Sequence, residues 1–339
     1  MIKQAKTVTV SLVTYNGMAW LPACLASVRK QTLADLELLV VDNASTDGSA
    51  GFLRDQAAGD PRVNVFENPR NMGFAAGHNR NIRDARAEFV MLLNQDTVLD
   101  PGFLAAAVAA FDRRPRVAAV QGRLRRLGPS GELTDKIDST GLVMHRDRRV
   151  VARRQGVRES DVDLFAGPVW GADGPAPVYL HTALVEASEP CTGGGWEVLD
   201  EDFFMYKEDI DLAWRLRRLG WTAWYEPKAL AWHARGTGRR DRSVVDLIRA
   251  DRNIPRWIKA VSWRNHRLMQ LKNERPGDYV RDLPWILRRE ILSLGFLSMV
   301  EPRCLEAIGQ LIEATPRAFE KRKSIADTIR RIEAERTRA

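Results

Sequence analysis

The sequence predicts an α/β fold, a mostly parallel sheet with helices on both faces, followed by a helical C-terminal region. In the first hundred residues, short and nearly continuous apolar segments alternate with amphipathic ones, which is the pattern of βαβ units. From about residue 240 onward, apolar residues recur at helical spacing instead. The 339 residues, 45% hydrophobic and 28% charged, suffice for one large domain with an appendage or for two domains.

Four strands are predicted in the first hundred residues, and a polar cluster follows each of them. The strands are 8–13, 37–41, 63–66 and 89–93, and the clusters are 14–16, 42–47, 71–81 and 94–96. Between the first two strands, Leu21, Leu25 and Val28 mark the buried face of a helix. Ligands of open parallel sheets bind beyond the carboxyl ends of the strands. The polar clusters therefore predict a binding site at one edge of the sheet.

The second hundred residues carry weaker signals. Residues 123–177 are polar and rich in Arg, Gly and Pro, and we expect them to form loops laid across the sheet. Residues 178–181 (VYLH) return to a strand, and two further short strands, TAWYEP and ALAWH, lead to His233.

The excess positive charge lies in the last third of the chain. Residues 239–339 contain 23 Lys and Arg and 14 Asp and Glu, whereas residues 1–238 contain 29 and 30. The basic residues are interleaved with Trp, Leu and Ile at helical spacing, which favours a membrane surface over nucleic acid as the partner. A solvated helix face or a homodimer interface would have the same composition.

The apolar faces of this region are expected in HRLMQLKN, residues 266–273, and around Trp285, Ile286 and Phe296. The longest apolar run, residues 291–300, has about half the length that a helix needs to span a bilayer. The sequence runs straight into a strand without a signal peptide, and its three cysteines form no metal-binding spacing and no disulfide framework. We therefore expect a cytoplasmic protein, peripheral on the inner face of the cell membrane.

Three acids lie within four residues at the start of a predicted helix: Glu208, Asp209 and Asp211. Acids in a first helical turn complement the helix dipole, so a capping role is the simplest explanation. It suits Asp211, which is spaced for an i,i+4 ion pair with Arg215 on a solvent face. Glu208 and Asp209 fit it less well because they follow the apolar run 203–206, and carboxylates beside apolar surface need partners or have a chemical role.

Three more residues are candidates for binding. Asp42 ends the second strand, where its carboxylate can accept a hydrogen bond from the ring N–H of a pyrimidine base; an Asx-turn is the alternative. Asp96 follows the fourth strand as a single carboxylate, which suits Mg²⁺ because this ion takes few protein carboxylates and shares the rest of its shell with phosphates and water. His233 is a second candidate ligand, although taken alone it is more often a structural histidine.

Taken together, several stretches of the sequence resemble the inverting glycosyltransferases of family 2, which have the GT-A fold. The stretches are VSLVTYNG, LLVVDNASTDGS, NPRNMGFAAGHNRNI, VMLLNQDTVL, GGGWEVLDEDFFMYKEDIDLAWRLRRLGW and AWHARG, and their order and spacing cover roughly residues 7–238. Within the family, the chain looks most like the rhamnosyltransferase-like branch. The resemblance implies a nucleotide-sugar-dependent catalytic domain over residues 1–238, with residues 239–339 as a basic amphipathic helical region.

The resemblance also implies roles for matching positions. Asp209 matches the second acid of the family's ED motif and is the expected catalytic base, with Glu208 orienting it or touching the acceptor. Asp96 matches the last position of the DXD-type metal motif, whose first position is Asn94 here, so Mg²⁺ or Mn²⁺ is the expected cofactor. The expected donor-binding residues are Thr14, Tyr15, Asn16, Asp42, Asn71, Gly73, Asn79, Asn94, Gln95 and Asp96, and the expected metal ligands are Asp96 and His233. Asp173 is a candidate contact to the acceptor.

The implied reaction moves a sugar, with rhamnose the best match, from a dTDP- or UDP-linked donor to a glycan or polyprenyl-diphosphate-linked acceptor in cell-envelope polysaccharide synthesis. Two alternatives remain. A nucleotidyltransferase would usually carry a Gly-rich basic loop after the first strand, and VTYNGMAWLPACL contains none. A catalytically silent subunit that recruits partners through the basic helices would have no need of Asp96, Glu208 and Asp209.

Overall fold

The computed structural model describes residues 7–112, 114–128, 130–191, 194–234, 255–300 and 306–338, and of residues 296–300 and 338 the backbone alone. The strands within these residues are β1 (Val8–Thr14), β2 (Leu36–Asp42), β3 (Val63–Glu67), β4 (Phe89–Asn94), β5 (Thr97–Leu99), β6 (Val117–Leu127), β7 (Leu133–Ser139), β8 (Leu142–Met144), β9 (Val150–Ala152), β10 (Gly167–Val169), β11 (Val178–Leu180), β12 (Glu189–Pro190), β13 (Trp196–Glu197) and β14 (Thr222–His233). The α-helices are α1 (Leu21–Arg29), α2 (Ser49–Gly59), α3 (Phe74–Asp84), α4 (Phe103–Ala109), α5 (His181–Glu186), α6 (Glu208–Arg218), α7 (Arg256–Asn273), α8 (Pro276–Val300) and α9 (Glu306–Arg338).

The first half of the central sheet confirms the sequence prediction. Strands β3, β2, β1 and β4 lie side by side in that order and are parallel throughout. Helices α1, α2 and α4 cover one face of the sheet and α3, α5 and α6 cover the other. Both faces of these strands are thus buried, which explains why their sequences are nearly continuous in apolar residues.

The second half of the sheet is mixed. Strand β11 runs antiparallel between β4 and β6, β14 runs parallel to β6, and β10 closes the edge. The two short strands expected near the end of this half are one strand, β14, with an irregularity between Glu226 and Leu230.

The prediction that residues 123–177 are loops was wrong in part, because β6 extends to Leu127 and β7 to β10 fall within this segment. The basic residues that suggested a loop are paired with acids that cover the strand. Arg123 and Arg125 both form ion pairs with Glu159. Such pairing allows a strand to carry several arginines on one side.

The C-terminal helices pack on the sheet half, which is residues 7–234, as α7 contacts α6 and α9 contacts α7. Leu268 and Met269 of α7 are buried against Phe203 and Ile210. The apolar face of residues 266–273 is therefore inside the protein, which corrects the expectation that it is available to a membrane. Ile286 is also buried, and the side chain of Phe296 lies outside the described residues. No helix in the described parts of the chain combines the length and apolar character needed to cross a membrane.

The expected solvent face of α6 is buried too. Asp211 and Arg215 form the predicted ion pair, 3.0 Å long, but both side chains are fully buried. Asn273 of α7 donates a hydrogen bond to Asp211, and Arg215 donates to the carbonyls of Ala187 and Val198. The ammonium group of Lys272 on α7 reaches Asp211 at 2.9 Å and also Glu189 and Asp200 at 2.7 and 2.6 Å.

A second ammonium group, that of Lys321 on α9, joins this buried cluster through Asp200 and Glu197 at 2.6 and 2.5 Å. Two lysines from the C-terminal helices thus neutralise buried acids of the sheet half. The sequence boundary near residue 238 falls in 235–254, outside the described residues.

Candidate active site

A cavity of about 950 Å³ opens at the carboxyl ends of the parallel strands and brings most of the predicted residues together. The predicted residues that line it are Thr14, Tyr15, Asn71, Gly73, Asn94, Gln95, Asp96, Asp173, Glu208, Asp209 and His233. Its remaining wall is formed largely by residues of α7 and α8. The cavity therefore joins the strand ends, the start of α6 and the C-terminal helices in one site.

The first strand end is tied to the fourth through Gln95. Its side-chain oxygen accepts hydrogen bonds from the hydroxyl of Thr14 and from the backbone N–H of Tyr15. Across the cavity, Asn71 accepts a hydrogen bond from the N–H of Gly73, whose φ of +89° favours glycine. A Cβ at Gly73 would lie 2.6 Å from the ring of Phe204, so this position also needs glycine for space.

Asp42, which does not line the cavity, makes the predicted turn contact and has one oxygen that a ligand could use. One carboxylate oxygen accepts a hydrogen bond from the N–H of Ser45 at 3.0 Å, which is a turn contact. The other oxygen is buried and has no hydrogen-bond partner among the described residues. A buried acceptor without a partner is unfavourable, and a ring N–H of a base would satisfy it.

Besides Asp42, two more of the expected donor-binding residues do not line the cavity. Asn16 uses its side-chain oxygen to accept a hydrogen bond from the N–H of Thr46, so it joins two loops at the strand ends. The amide of Asn79 is buried and fully engaged: it accepts from the N–H groups of Val198 and Leu199 and donates to Leu199 and Glu201. Both residues thus lie outside the cavity lining and hold together the segments around it.

Asp96 and His233 lie together, with 3.3 Å between a carboxylate oxygen and Nε2. Nδ1 of His233 is 2.9 Å from the buried carboxylate of Asp138. Burial alone would lower the pKa of His233, but its hydrogen bonds to Asp138 and Asp96 raise it to about 9. An imidazole oriented by a carboxylate on one nitrogen is a common arrangement for metal ligands, and it needs to lose the proton on the other nitrogen to bind a metal.

The side-chain oxygen and nitrogen atoms at this place are suited to bind a divalent cation. The side-chain oxygen of Asn94 is buried without a hydrogen-bond partner among the described residues. Asn94 lies two residues before Asp96, and both line the cavity. Oxygen donors with one imidazole suit Mg²⁺ or Mn²⁺. By contrast, the buried acids Glu189, Glu197 and Asp200 could share a metal ion only if it displaced Lys272 and Lys321.

Glu208 and Asp209 begin α6 at the cavity and differ in their hydrogen bonds. The two oxygens of Asp209 accept from the N–H of Gly174 at 3.1 Å and the N–H of Ile210 at 2.8 Å. One oxygen of Glu208 is buried without a hydrogen-bond partner among the described residues. Burial, reinforced by the charge of Asp209, raises the pKa of Glu208 to about 8, and burial together with Asp173 raises the pKa of Asp209 to about 6.

Asp173 is held beside Asp209. Its N–H donates to the side-chain oxygen of Gln121 at 2.6 Å, and its own carboxylate, like that of Asp209, accepts a hydrogen bond from the N–H of Gly174. A side chain at position 174 would lie 3.3 Å from the Asp209 carboxylate, so glycine allows this close approach. The sequence singled out Asp173, while nothing in it indicated the partner Gln121.

The loop that leads into these acids has an unusual backbone. Phe204, Tyr206 and Lys207 have φ values of +61°, +69° and +77°, in the left-handed region that non-glycine residues seldom adopt. The buried side chain of Asn265 on α7 holds this loop, because its amide N–H₂ group donates to the carbonyls of Phe203, Met205 and Tyr206 at 2.9, 3.0 and 2.8 Å. A C-terminal helix thus fixes the approach to Glu208 and Asp209.

Residues 9–166 match the family model of glycosyl transferase family 2. The chain carries a family 2 glycosyltransferase domain. It is 28% identical over 292 residues to N-acetylglucosaminyl-diphospho-decaprenol L-rhamnosyltransferase of Mycobacterium tuberculosis, a match that covers 75% of this chain and 87% of the relative. It is also 25% identical over 232 residues to poly-beta-1,6-N-acetyl-D-glucosamine synthase of Staphylococcus epidermidis, with 68% of this chain and 50% of that protein covered.

Solved structures share the fold of this glycosyltransferase. The mannosyltransferase PcManGT from Pyrobaculum calidifontis, in complex with GDP-Man and Mn²⁺, aligns with a TM-score of 0.52 and 18% identity over 96% of this chain and 86% of that one. S. aureus TarS 1–349, in complex with UDP, aligns with a TM-score of 0.55 and 16% identity over 98% and 91%. These likenesses confirm the GT-A fold expected from the sequence, including C-terminal helices after the sheet.

Proposed function

We propose that this glycosyltransferase is an inverting, metal-dependent enzyme that moves a sugar from a nucleoside diphosphate to a hydroxyl group of a lipid-linked glycan in cell-envelope polysaccharide synthesis. The observation that carries the proposal is that Asp96 and His233 line the same cavity as the buried pair Glu208 and Asp209. The first two suit a metal-bound diphosphate, and the other two supply carboxylates whose pKa is raised toward neutrality.

In the proposed reaction, Asp209 accepts the proton of the acceptor hydroxyl. The hydroxyl oxygen attacks the anomeric carbon from the face opposite the diphosphate, so the new glycosidic bond forms as the bond to the phosphate oxygen breaks. With a pKa of about 6, Asp209 is ionised at neutral pH yet more basic than an ordinary aspartate. Glu208, with a pKa of about 8, keeps its proton at pH 7 and so presents a hydrogen-bond donor to the acceptor or to Asp209.

Asp96 and His233, with the side-chain oxygen of Asn94, are the residues that would hold Mg²⁺ or Mn²⁺. Such an ion, when bound, neutralises charge on the nucleoside diphosphate that leaves. Asp138 orients His233 through Nδ1 and fixes Nε2 as the nitrogen that faces Asp96. Thr14, Tyr15, Asn71, Gly73 and Gln95 form the remaining wall on the donor side of the cavity.

For the donor we propose dTDP-rhamnose, and for the acceptor a polyprenyl-diphosphate-linked sugar. The support is the similarity to the mycobacterial relative, whose name states an L-rhamnosyltransferase acting on N-acetylglucosaminyl-diphospho-decaprenol. The unsatisfied oxygen of Asp42 supports a pyrimidine base in the donor, since thymine and uracil both carry a ring N–H that it can accept.

We also propose that the enzyme is peripheral on the inner membrane surface. Leu287, Ile291 and Leu294, spaced four and three residues apart on α8, are 47%, 69% and 40% exposed. They form the exposed α8 face, which stands next to the exposed Arg288 of the same helix. Co-sedimentation with anionic vesicles should fall with rising salt but leave an apolar, salt-insensitive part. Absence of vesicle binding, with a doubled molecular mass by light scattering, would assign this face to a homodimer.

The function is tested with a panel of dTDP, UDP and GDP, each with and without Mn²⁺, in thermal-shift assays. The matching nucleotide at a hundredfold excess over its Kd should stabilise the chain by about 2.7 kcal/mol in a metal-dependent way. The variant Asp96→Ala should lose this metal dependence, whereas Asp84→Ala, at an exposed position on α3, should retain it. Release of dTDP from dTDP-rhamnose with a prenyl-diphosphate-linked acceptor then tests the transfer. No response to any nucleotide with Mn²⁺ would contradict the proposal.

A further inference from the structure

The charged residues of the active-site cavity are divided between two walls. The acids Asp96 and Asp173 lie in connections between strands, and Glu208 and Asp209 lie at the start of α6. The basic residues Lys259, Arg267 and Arg289 come from α7 and α8, and Lys207 lies where α6 begins; these four form the basic wall. The proposed donor and metal residues occupy the acidic wall. The C-terminal helices therefore add to this cavity a group of cations that the donor-side residues do not include.

Arg289 is held in a defined position on this wall. Its guanidinium donates to Nε2 of the buried His266 at 3.0 Å and to the carbonyl of Asp147 at 3.2 Å. Arginine has no acceptor atom, so Nε2 of His266 carries a lone pair and the imidazole is neutral. Burial, followed by the charges of Arg289, Lys207 and Arg267, lowers the pKa of His266 well below its ordinary value. Three cations of the basic wall thus lie close enough to His266 to favour its neutral form.

Arg267 is also held in a defined position, as Arg289 is. Its guanidinium lies 3.5 Å from the ring centroid of Trp263, donates to the Trp263 carbonyl at 3.0 Å and pairs with Glu290. The indole N–H of Trp263 in turn donates to the hydroxyl of Ser293, which also lines the cavity. Planar guanidinium groups held in this way match phosphate oxygens with several hydrogen bonds at once.

The basic wall continues directly into apolar surface. Arg289 and Ser293 line the cavity, and Leu292 lies on α8 three residues from Arg289 and is 62% exposed. Trp285, four residues before Arg289 and 41% exposed, lies on the same side of the helix as Leu292, so apolar surface begins where the cavity wall ends. A ligand with a diphosphate joined to a long hydrocarbon chain would contact the basic wall with its diphosphate and the apolar side chains with its hydrocarbon chain.

We propose that Arg267 and Arg289 bind the diphosphate of the acceptor, and that its prenyl chain leaves the cavity along the apolar surface of Trp285 and Leu292. This inference rests on the proposed lipid-linked acceptor and names the residues that recognise it. The sugar attached to the diphosphate is then directed toward Asp209 and Glu208. The C-terminal helices, on this account, select the acceptor by its anionic group and its lipid.

The test measures binding of farnesyl diphosphate to the full-length chain by calorimetry in EDTA, which removes metal-dependent binding of diphosphates at the donor side. Arg289→Gln should weaken binding at least about tenfold, the effect expected for loss of one charge-assisted hydrogen bond. Arg288→Gln, which removes the same charge at the neighbouring exposed position, should leave the affinity unchanged. Arg289→Lys should fall between the two and serves as the test if Arg289→Gln fails to fold.

Two further ligands separate the parts of the site. Inorganic pyrophosphate should bind more weakly than farnesyl diphosphate but show the same sensitivity to Arg289→Gln, and farnesol should show none. Equal affinity of wild type and Arg289→Gln for farnesyl diphosphate, or an equal loss in Arg288→Gln, would overturn the inference. So would a loss of Mn²⁺-dependent nucleotide affinity in Arg289→Gln, because the cations would then serve the donor. The binding assay needs no turnover, so this inference can fail while the transferase activity stands, and the activity can fail without it.

Discussion

Glu208 and Asp209 are adjacent carboxylates that the fold treats differently. Both are buried, but Asp209 accepts a backbone N–H on each oxygen, whereas one oxygen of Glu208 has no hydrogen-bond partner among the described residues. Hydrogen bonds to the charged form favour ionisation, and burial opposes it. Accordingly the pKa of Asp209 rises only to about 6 and that of Glu208 to about 8. At neutral pH the pair presents one base and one protonated acid.

The raised pKa of Glu208 predicts a pH-dependent effect of Glu208→Gln on stability. The folded state holds this proton more tightly than the unfolded state, so the stability that it contributes is present below about pH 4.5 and is lost as pH rises toward 8. Glutamine stays neutral. Thermal unfolding should therefore show little difference between variant and wild type at pH 4.5, and a variant more stable by up to about 5 kcal/mol at pH 8.5, since one pKa unit corresponds to about 1.4 kcal/mol.

Glu88→Gln, at an exposed position, is the control for this experiment and should show no such trend. Equal stability of Glu208→Gln and wild type at both pH values would mean that Glu208 is solvated, as a simple helix-capping residue would be. A gain confined to low pH would reverse the sign of the shift and would also contradict the account.

The loop before α6 depends on a helix distant in sequence. Three of its residues have positive φ values, each of which costs about 1–3 kcal/mol and persists only where surrounding contacts impose it. Asn265 supplies three of those contacts. We expect Asn265→Ala to lower kcat about 10- to 100-fold while the donor KM changes little, because the donor residues lie on the strand ends.

Steady-state kinetics across pH provide the measurement for Asn265. If the loop positions Asp209, the acidic limb of the kcat/KM profile, near pH 6 in the wild type, should move in the variant. Gln270→Ala, on the same helix, is the matched control. An unchanged kcat and an unchanged limb in Asn265→Ala would show that the loop keeps its conformation without this residue.

The elements that the sequence predicted well are those with a single consistent signal. Strands β1 to β4 are buried on both faces, so their apolar runs marked them directly. Strand β6 was not predicted, and its basic end was taken for a loop because the arginines there are paired with Glu159, a residue more than thirty positions away. Asn265 carried no local signal, since its partners lie some sixty residues earlier in the chain.

The same limit applied to α6 and α7. Spacing alone gave the ion pair of Asp211 with Arg215 correctly but put it on the solvent side. Which face of a polar helix is covered depends on what packs against it. Here that is α7, whose Lys272 has a long polar side chain that sequence patterns assign to solvent. The candidate site was easier to predict because polar residues at strand ends converge in any parallel sheet.

Two buried lysines join the C-terminal helices to the sheet half of the molecule. Lys272 contacts Glu189, Asp200 and Asp211, and it is fully buried. Removing one partner of a buried ion pair usually costs about 3–5 kcal/mol because the remaining charges lose their compensation. We expect Lys272→Met to destabilise the chain by about this amount in urea unfolding, and Lys323→Met, at an exposed position of α9, to have almost no effect.

Acid should partly relieve the Lys272→Met defect, since protonation removes the uncompensated charge of the carboxylates. The difference from wild type should therefore be smaller at pH 5 than at pH 8. A Lys272→Met variant as stable as Lys323→Met at pH 8 would show that this cluster does not stabilise the packing of the C-terminal helices on the sheet half.

In the proposed reaction, this cavity transfers a sugar with Asp209 as the base. The most direct measurement is the transfer rate of Asp209→Asn with the nucleotide sugar that binds in the Mn²⁺ panel, next to its affinity for the nucleotide. Asparagine keeps the shape and removes the basicity. We predict a fall in transfer of about 10²–10⁴-fold with nucleotide affinity near that of wild type. Wild-type transfer by Asp209→Asn would contradict the account.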